Sequence, residues 1–265
     1  MKPCLHIAIP AMAEADFLPS AMAALLQQQS TYTYHIYICV NQPESYWESK
    51  PDICQNNQTS IAYLQSLKAY IQIVDKSSRG QGWVGKHSGV GWARKTLFDH
   101  IMRLAAPSDI ILSLDADTLV DKHYCQAVGD YFSQHPKSQA LALPYYHPLL
   151  ENNNEQANNE AINRAILRYE IYMRLYHLNM QAIASPFAFT AIGSAMAFRV
   201  DFLQKIGDHY EWVKLQLLKG TEDNGMPNHV IFTCENIDED RRREWERQYA
   251  SSRFGYQITE SYEKV

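Results

Sequence analysis

The strongest constraint on this chain is one apolar run that delivers two acids. Residues 109–114 read Asp-Ile-Ile-Leu-Ser-Leu, and Asp115-Ala116-Asp117 follows at once. So short a run of apolar, β-branched residues predicts a buried strand. It is one of a series. Residues 5–9 form an apolar run that Pro10 should close, and residues 35–40 are rich in β-branched and aromatic side chains. Residues 70–74 and 139–143 complete the set. Between them lie helical patterns. Residues 16–28 carry Asp16 as an N-cap and Phe17, Met22, Leu25 and Leu26 as an apolar face. The polar stretch 41–60 predicts a loop, with a short helix at 60–68. Residues 90–105 place Trp92, Ala93, Leu97, Ile101 and Leu104 on one face and stop before Pro107. A last helix spans 121–133. Strand and helix thus alternate through the first 143 residues. That order predicts an α/β fold, a mostly parallel sheet flanked by helices, with ligands bound at the carboxyl ends of the strands.

The second half differs. An Asn/Glu-rich lead-in at 151–159 precedes Ile162, Ile166, Tyr169, Met173, Tyr176 and Met180, spaced by alternating steps of four and three. This predicts one long amphipathic helix whose stripe serves as core or as an intersubunit face. Residues 190–198 read as a small-residue loop entering a strand, followed by a helix at 200–206.

Bulk properties narrow the function classes. A chain of 265 residues suits one large α/β domain. Its net charge of −5 and its lone basic trio, Arg241 to Arg243 set among acids, argue against a nucleic-acid surface. The five cysteines are scattered and form no paired motif, which suits a reducing compartment. No leader pattern opens the chain, and no apolar run reaches the roughly 18 residues of a membrane span. The expectation is a cytoplasmic protein, with peripheral contact at the inner face of a membrane left open.

Asp115 and Asp117 would leave the strand on the same side, because alternate residues of an extended chain share a face. Two uses compete for them. They could cap the helix that follows. Alternatively, they could hold Mg²⁺ or Mn²⁺, which accepts one or two carboxylates and leaves positions for phosphate oxygens. Gly80, Gly82, Gly85, Gly89 and Gly91 crowd the stretch before the helix at 90. With Arg79, Lys86 and Arg94 nearby, their backbone N–H groups could cradle a pyrophosphate, or the stretch could be a mobile surface loop. Residues 80–85 match the dinucleotide-binding glycine pattern, but they follow the third strand and not the first, so a nicotinamide enzyme is disfavoured. His6 and His35 lie in strands and read as packed.

The order of these parts resembles the family 2 glycosyltransferases, which have the GT-A fold. The parts are Pro10-Ala-Met-Ala-Glu14, Val40-Asn41, Gly91-Trp-Ala-Arg-Lys95, Asp115-Ala-Asp117 and Gly193-Ser-Ala-Met-Ala-Phe198. The resemblance implies a GT-A domain over residues 1–207, with a nucleotide-sugar half at 1–143 and an acceptor-side half at 144–207. Residues 208–265 match poorly and stand as a divergent segment. It implies that Pro10, Ala11 and Glu14 hold the base and ribose, and that Asn41 stands where the family has an acid. Lys86 and Arg94 would meet the diphosphate or ribose. Asp115 would contact the ribose and, with Asp117, the metal. The catalytic base would be Glu222 or Asp223. The implied activity is metal-dependent, inverting transfer from a UDP- or GDP-sugar to a saccharide or lipid-linked acceptor. A nucleotidyltransferase and a catalytically degenerate sugar-nucleotide-binding protein are the alternatives.

Overall fold

The computed structural model describes residues 2–67, 71–85, 88–150, 156–185, 188 and 193–207. They fall into two units: a sheet-bearing unit, up to Tyr145 and again from 193 to 207, and a second unit within 146–188.

The sheet has six strands in the order β3-β2-β1-β4-β6-β5. These are β1 (Leu5–Ala11), β2 (Tyr34–Asn41), β3 (Ile71–Lys76), β4 (Ile110–Ser113), β5 (Ala140–Ala142) and β6 (Met196–Arg199). β1 lies between β2 and β4, parallel to both, with Ala8 opposite Tyr37 on one side and Ser113 on the other. A central parallel strand is covered on both faces, which explains why all of β1 is buried and why its sequence does not alternate. Helices α1 (Leu18–Leu26), α2 (Tyr46–Ser49), α3 (Pro51–Ser66), α4 (Val90–Met102) and α5 (Tyr124–Gln134) connect the strands, and α7 (Val200–Gly207) follows β6. One core cluster runs from Leu5, Ile7 and Ile9 through Ile36, Ile38, Ile110 and Leu112 to Phe132.

Several expectations are corrected. Pro10 does not close β1 but lies within it, paired with Cys39. Pairing with β4 ends at Ala8 opposite Ser113, and Ala8 turns its carbonyl to that flank to accept the N–H of Leu114. Pro10 faces the same flank, where the ladder has run out, so its missing N–H forfeits nothing. Asp16 does not cap α1. Phe17 is the N-cap residue, without a side-chain bond, and the carbonyl of Glu14 receives the N–H groups of Phe17 and Leu18. The supposed loop at 41–60 holds α2 and most of α3. Pro51 starts α3, where a missing N–H is harmless, and its buried face mixes Cys54, Asn57 and Ser60 with Ile61 and Leu64. β5 runs in the same direction as β4, yet β6 lies between them, antiparallel to each. β6, which the sequence places with α7 in an acceptor-side half at 144–207, is thus a strand of the first unit's sheet, and α7 belongs to the same unit.

Asp109 closes the amino edge of the sheet. Its Oδ1 accepts the N–H of Cys4 at 2.9 Å, and its Oδ2 accepts that of Ala106 at 2.8 Å and meets His6 Nε2 at 3.3 Å. Burial drives the His6 pKa below its ordinary value, against the pull of Asp109. Above pH 6.5 the neutral ring is favoured, and the tautomer with Nε2–H donating to the carboxylate and Nδ1 accepting from the Tyr37 hydroxyl at 3.1 Å satisfies both contacts as hydrogen bonds. His6 is packed, as expected.

In the second unit, α6 (Gln156–Ala182) is the long helix expected. Met173 of its stripe is buried, whereas Ile162 and Tyr169 are exposed. No described helix is long and apolar enough to cross a membrane.

Candidate active site

The carboxyl ends of β1, β2 and β4 bring the chemistry to one sheet edge. After β4, Leu114 and Ala116 turn into the core, which leaves Asp115 half-buried and Asp117 exposed. The strand has ended by then: residues 115–118 form a turn closed by the N–H of Thr118 on the carbonyl of Asp115 at 3.1 Å, and that turn, not the pleat of a strand, sets where the two carboxylates stand. Glu14, from the loop after β1, joins them. Burial first, then the negative charges of Asp117 and Asp115, raise its pKa above the ordinary carboxylate value. Three acids thus share one field, with Asp115 answered by Arg94 of α4. Arg94 Nη2 donates to Asp115 Oδ1, with the arginine side chain 12% exposed and the aspartate 39%. Arg94 Nε is buried and has no partner among the described residues.

The loop carrying Glu14 is held from below by α3. Asn57 Oδ1 accepts the N–H of Ala13 at 2.8 Å, and Asn56 Oδ1 accepts that of Ala15 at 2.9 Å. Ala13 has a φ of 61°, unfavourable for a residue with a Cβ, so the Asn57 bond holds the chain in a conformation it would otherwise leave. Asn57 Nδ2 donates to Gln42 Oε1 at 2.7 Å and to the carbonyl of Asn41 at 3.3 Å. One buried amide therefore ties the end of β2 to the loop after β1.

The start of the glycine-rich stretch is already filled. Glu44 places its two carboxylate oxygens on the N–H groups of Gly80, at 2.7 Å, and Gly82, at 2.9 Å. A Cβ on Gly82 would lie 2.8 Å from the backbone of Glu44, so only glycine fits there. An internal carboxylate thus occupies two of the donors that a pyrophosphate was expected to use, those of Gly80 and Gly82. Arg79 stacks on Trp47, 4.9 Å from the ring centre. The same clamp seats Trp83, whose backbone bonds to Gln42 and Glu44 and whose indole N–H donates to Asn41 Oδ1 at 3.4 Å.

No protein-family model matches the chain, and no curated protein matches it in sequence. Solved structures do. A Staphylococcus aureus TarS fragment in complex with UDP-GlcNAc matches at 10% identity and a TM-score of 0.46, over 78% of this chain and 48% of that one. The mannosyltransferase PcManGT from Pyrobaculum calidifontis, in complex with GDP-Man and Mn²⁺, matches at 14% identity and 0.39, over 78% and 47%. The chain spans about half the length of these solved chains.

Of the residues singled out from sequence, Glu14, Arg94, Asp115 and Asp117 meet at this edge. Pro10 and Ala11 are the last two residues of β1 and are buried. Asn41 is 2% exposed, and its amide is spent inside: Nδ2 on the carbonyls of Ala11 and Cys39, Oδ1 on Trp83. Lys86, Glu222 and Asp223 lie outside the described residues. Sequence reasoning missed Glu44 and Asn57, and it had placed Gly193 only in the acceptor-side segment. The only signal was the Asn56-Asn57 pair, residues with low helix propensity that stand in a helix only when bonded elsewhere.

Among the described residues, no three His, Cys, Asp or Glu side chains are grouped to hold a metal ion. The edge still fits a Mg²⁺ or Mn²⁺ ion that arrives with phosphates. Such an ion needs only one or two carboxylates, and Asp117 is exposed beside an acid whose pKa its charge has raised.

Proposed function

We propose that the chain is a GT-A glycosyltransferase of the family 2 type. It would move a sugar from a UDP- or GDP-sugar to the hydroxyl of a saccharide or lipid-linked acceptor in the cytoplasm, with inversion. The observation that supports this reading is the meeting of Asp115, Asp117 and Glu14 at the carboxyl edge of β1 and β4, with Arg94 set against Asp115. Parallel sheets bind ligands at that edge. Asp115 is paired with Arg94, and a divalent cation would offset the repulsion that remains among the three acids.

Asp117, with Asp115, would hold Mn²⁺ or Mg²⁺, which supplies positive charge opposite the departing nucleoside diphosphate. Arg94 acts on the same charge. Its buried Nε–H is a donor awaiting an acceptor, and a phosphate oxygen satisfies it. Glu222 or Asp223 is the base in this proposal. It takes the proton of the acceptor hydroxyl as that oxygen bonds to the anomeric carbon and the bond from that carbon to phosphate breaks.

Calorimetry with UDP and GDP, with and without Mn²⁺, tests the reading. One nucleotide should bind, more tightly with the ion, and Asp117→Ala should lose the ion's effect while melting at the same temperature. Equal binding by Asp117→Ala and the parent chain would remove Asp117 from the site. Binding without any donor hydrolysis or transfer would favour the non-catalytic alternative.

A further inference from the structure

The turn before β6 meets the donor edge through backbone. The carbonyl of Gly193 accepts the hydroxyl of Ser113, the last residue of β4 and two positions before Asp115. The Cα of Gly193 also lies against the guanidinium of Arg94. A Cβ built on Gly193 would stand 2.5 Å from Nη1, 2.7 Å from Cζ and 3.3 Å from Nε. The guanidinium is thus bounded on two sides. Gly193 covers Nη1 and Cζ, and Asp115 takes Nη2. We infer that Gly193 is a positioning residue, the seat that aims Arg94 at Asp115, and that Ser113 holds this seat in register with the acids of β4. The inference rests on the donor-site reading above and adds a specific coupling: the turn into β6 sets the geometry of the phosphate-facing arginine.

The physical argument turns on what an alanine would displace. Any Cβ at 193 comes too close to Arg94, and the obstructing atoms are the far end of a long, flexible side chain. Such a chain swings aside at little expense, so the fold survives and the Arg94–Asp115 contact does not. The short hydroxyl of Ser113 meets a backbone carbonyl instead, so the seat itself stays in place. Arginine's planar head makes the fit specific, because its donors point along fixed directions in one plane.

Two measurements on the full chain test the seat. The first needs no ligand: the Arg94 Nε–H signal in a ¹⁵N–¹H spectrum, assigned by its loss in Arg94→Ala. Gly193→Ala should shift or broaden that signal, and Asp115→Asn should move it too. An unmoved signal in Gly193→Ala overturns the seat, whatever the nucleotides do. The second is calorimetry with UDP or GDP in Mn²⁺, whichever the parent chain binds. Gly193→Ala should bind at least tenfold more weakly with an unchanged melting temperature. In the Arg94→Ala background the same change should add nothing, because coupled sites are non-additive. Unchanged binding in Gly193→Ala, or a loss that adds in full to that of Arg94→Ala, overturns the positioning role. If the signal moves but the parent chain binds neither nucleotide, the donor reading fails while the Gly193–Arg94 seat stands.

Discussion

Asn57, on the buried face of α3, holds the N–H of Ala13 in the loop after β1 at 2.8 Å, 44 residues away in sequence. The bond fixes Ala13 in the left-handed region and, through Gln42, links that loop to the end of β2. Asn57→Ala leaves a backbone donor and the Gln42 amide oxygen without their partner. It should lower stability by about 2 kcal/mol or more in urea titration. Because the loop carries Glu14, amide exchange at Ala13 and Ala15 should speed up before the rest of the sheet responds. A loss of stability without faster exchange there would mean that Asn57 serves core packing alone.

Glu44 should behave as the internal ligand of the glycine-rich loop. Glu44→Gln keeps one carbonyl oxygen for Gly80 or Gly82, and Glu44→Ala keeps none. Charge-assisted bonds are the stronger kind, so amide exchange at both glycines should rise in the order parent, Gln, Ala. Roughly a fivefold increase for Ala is expected, as one lost bond is worth about 1 kcal/mol. Equal exchange in all three would show that the loop holds its shape without the carboxylate.

His6 sets a pH dependence. Its pKa lies below the ordinary value of 6.5 in the folded chain because the ring is buried. The unfolded chain therefore binds a proton that the folded chain refuses. Stability is retained above pH 6.5 and falls as the pH drops from there toward the lower folded pKa. His6→Gln, which cannot titrate, should flatten that part of the stability curve. A slope unchanged by the substitution would assign it to other groups.

Gly129 of α5 offers a contrast with Gly193. A Cβ there would lie 2.5 to 2.7 Å from ring carbons of Tyr32. That ring cannot swing away, because its hydroxyl is bound to Asp130 at 3.0 Å and Ser133 at 2.9 Å. Gly129→Ala should destabilise by about 1–3 kcal/mol through overpacking, despite alanine's better helix propensity. In a Tyr32→Ala background the same change should be neutral or stabilising. A penalty that persists without the ring would point to a backbone cause.

What the sequence made legible was whatever local pattern encodes. The runs at 5–9, 35–40 and 109–114 announced β1, β2 and β4, and with them the sheet edge at which Asp115 and Asp117 stand; the turn over 115–118 that carries the two acids was not read from strand alternation. α4 was equally plain from Ala93, Leu97 and Ile101. The helix over 51–66 was hidden because its inward face carries Asn57 and Ser60, polar residues that are buried because they are hydrogen-bonded. A polar composition then looks like a loop. The order of β4, β6 and β5 was hidden for another reason: pairing between distant segments leaves no mark on either one. The Glu44 clamp and the Gly193 seat are of that kind, and glycine spacing alone could not tell an occupied nest from an empty one.

The place of β6 bears on how the chain reaches its fold. β4 is complete at Ser113, but its neighbour on that side comes from Met196–Arg199. A growing polypeptide emerging from the ribosome holds β4 with one flank bare until those residues appear. A bare strand edge is a template for pairing with another chain. Nascent fragments ending before Met196 should therefore depend on chaperones and aggregate without them, and the last strand inserted should limit the rate at which the sheet matures.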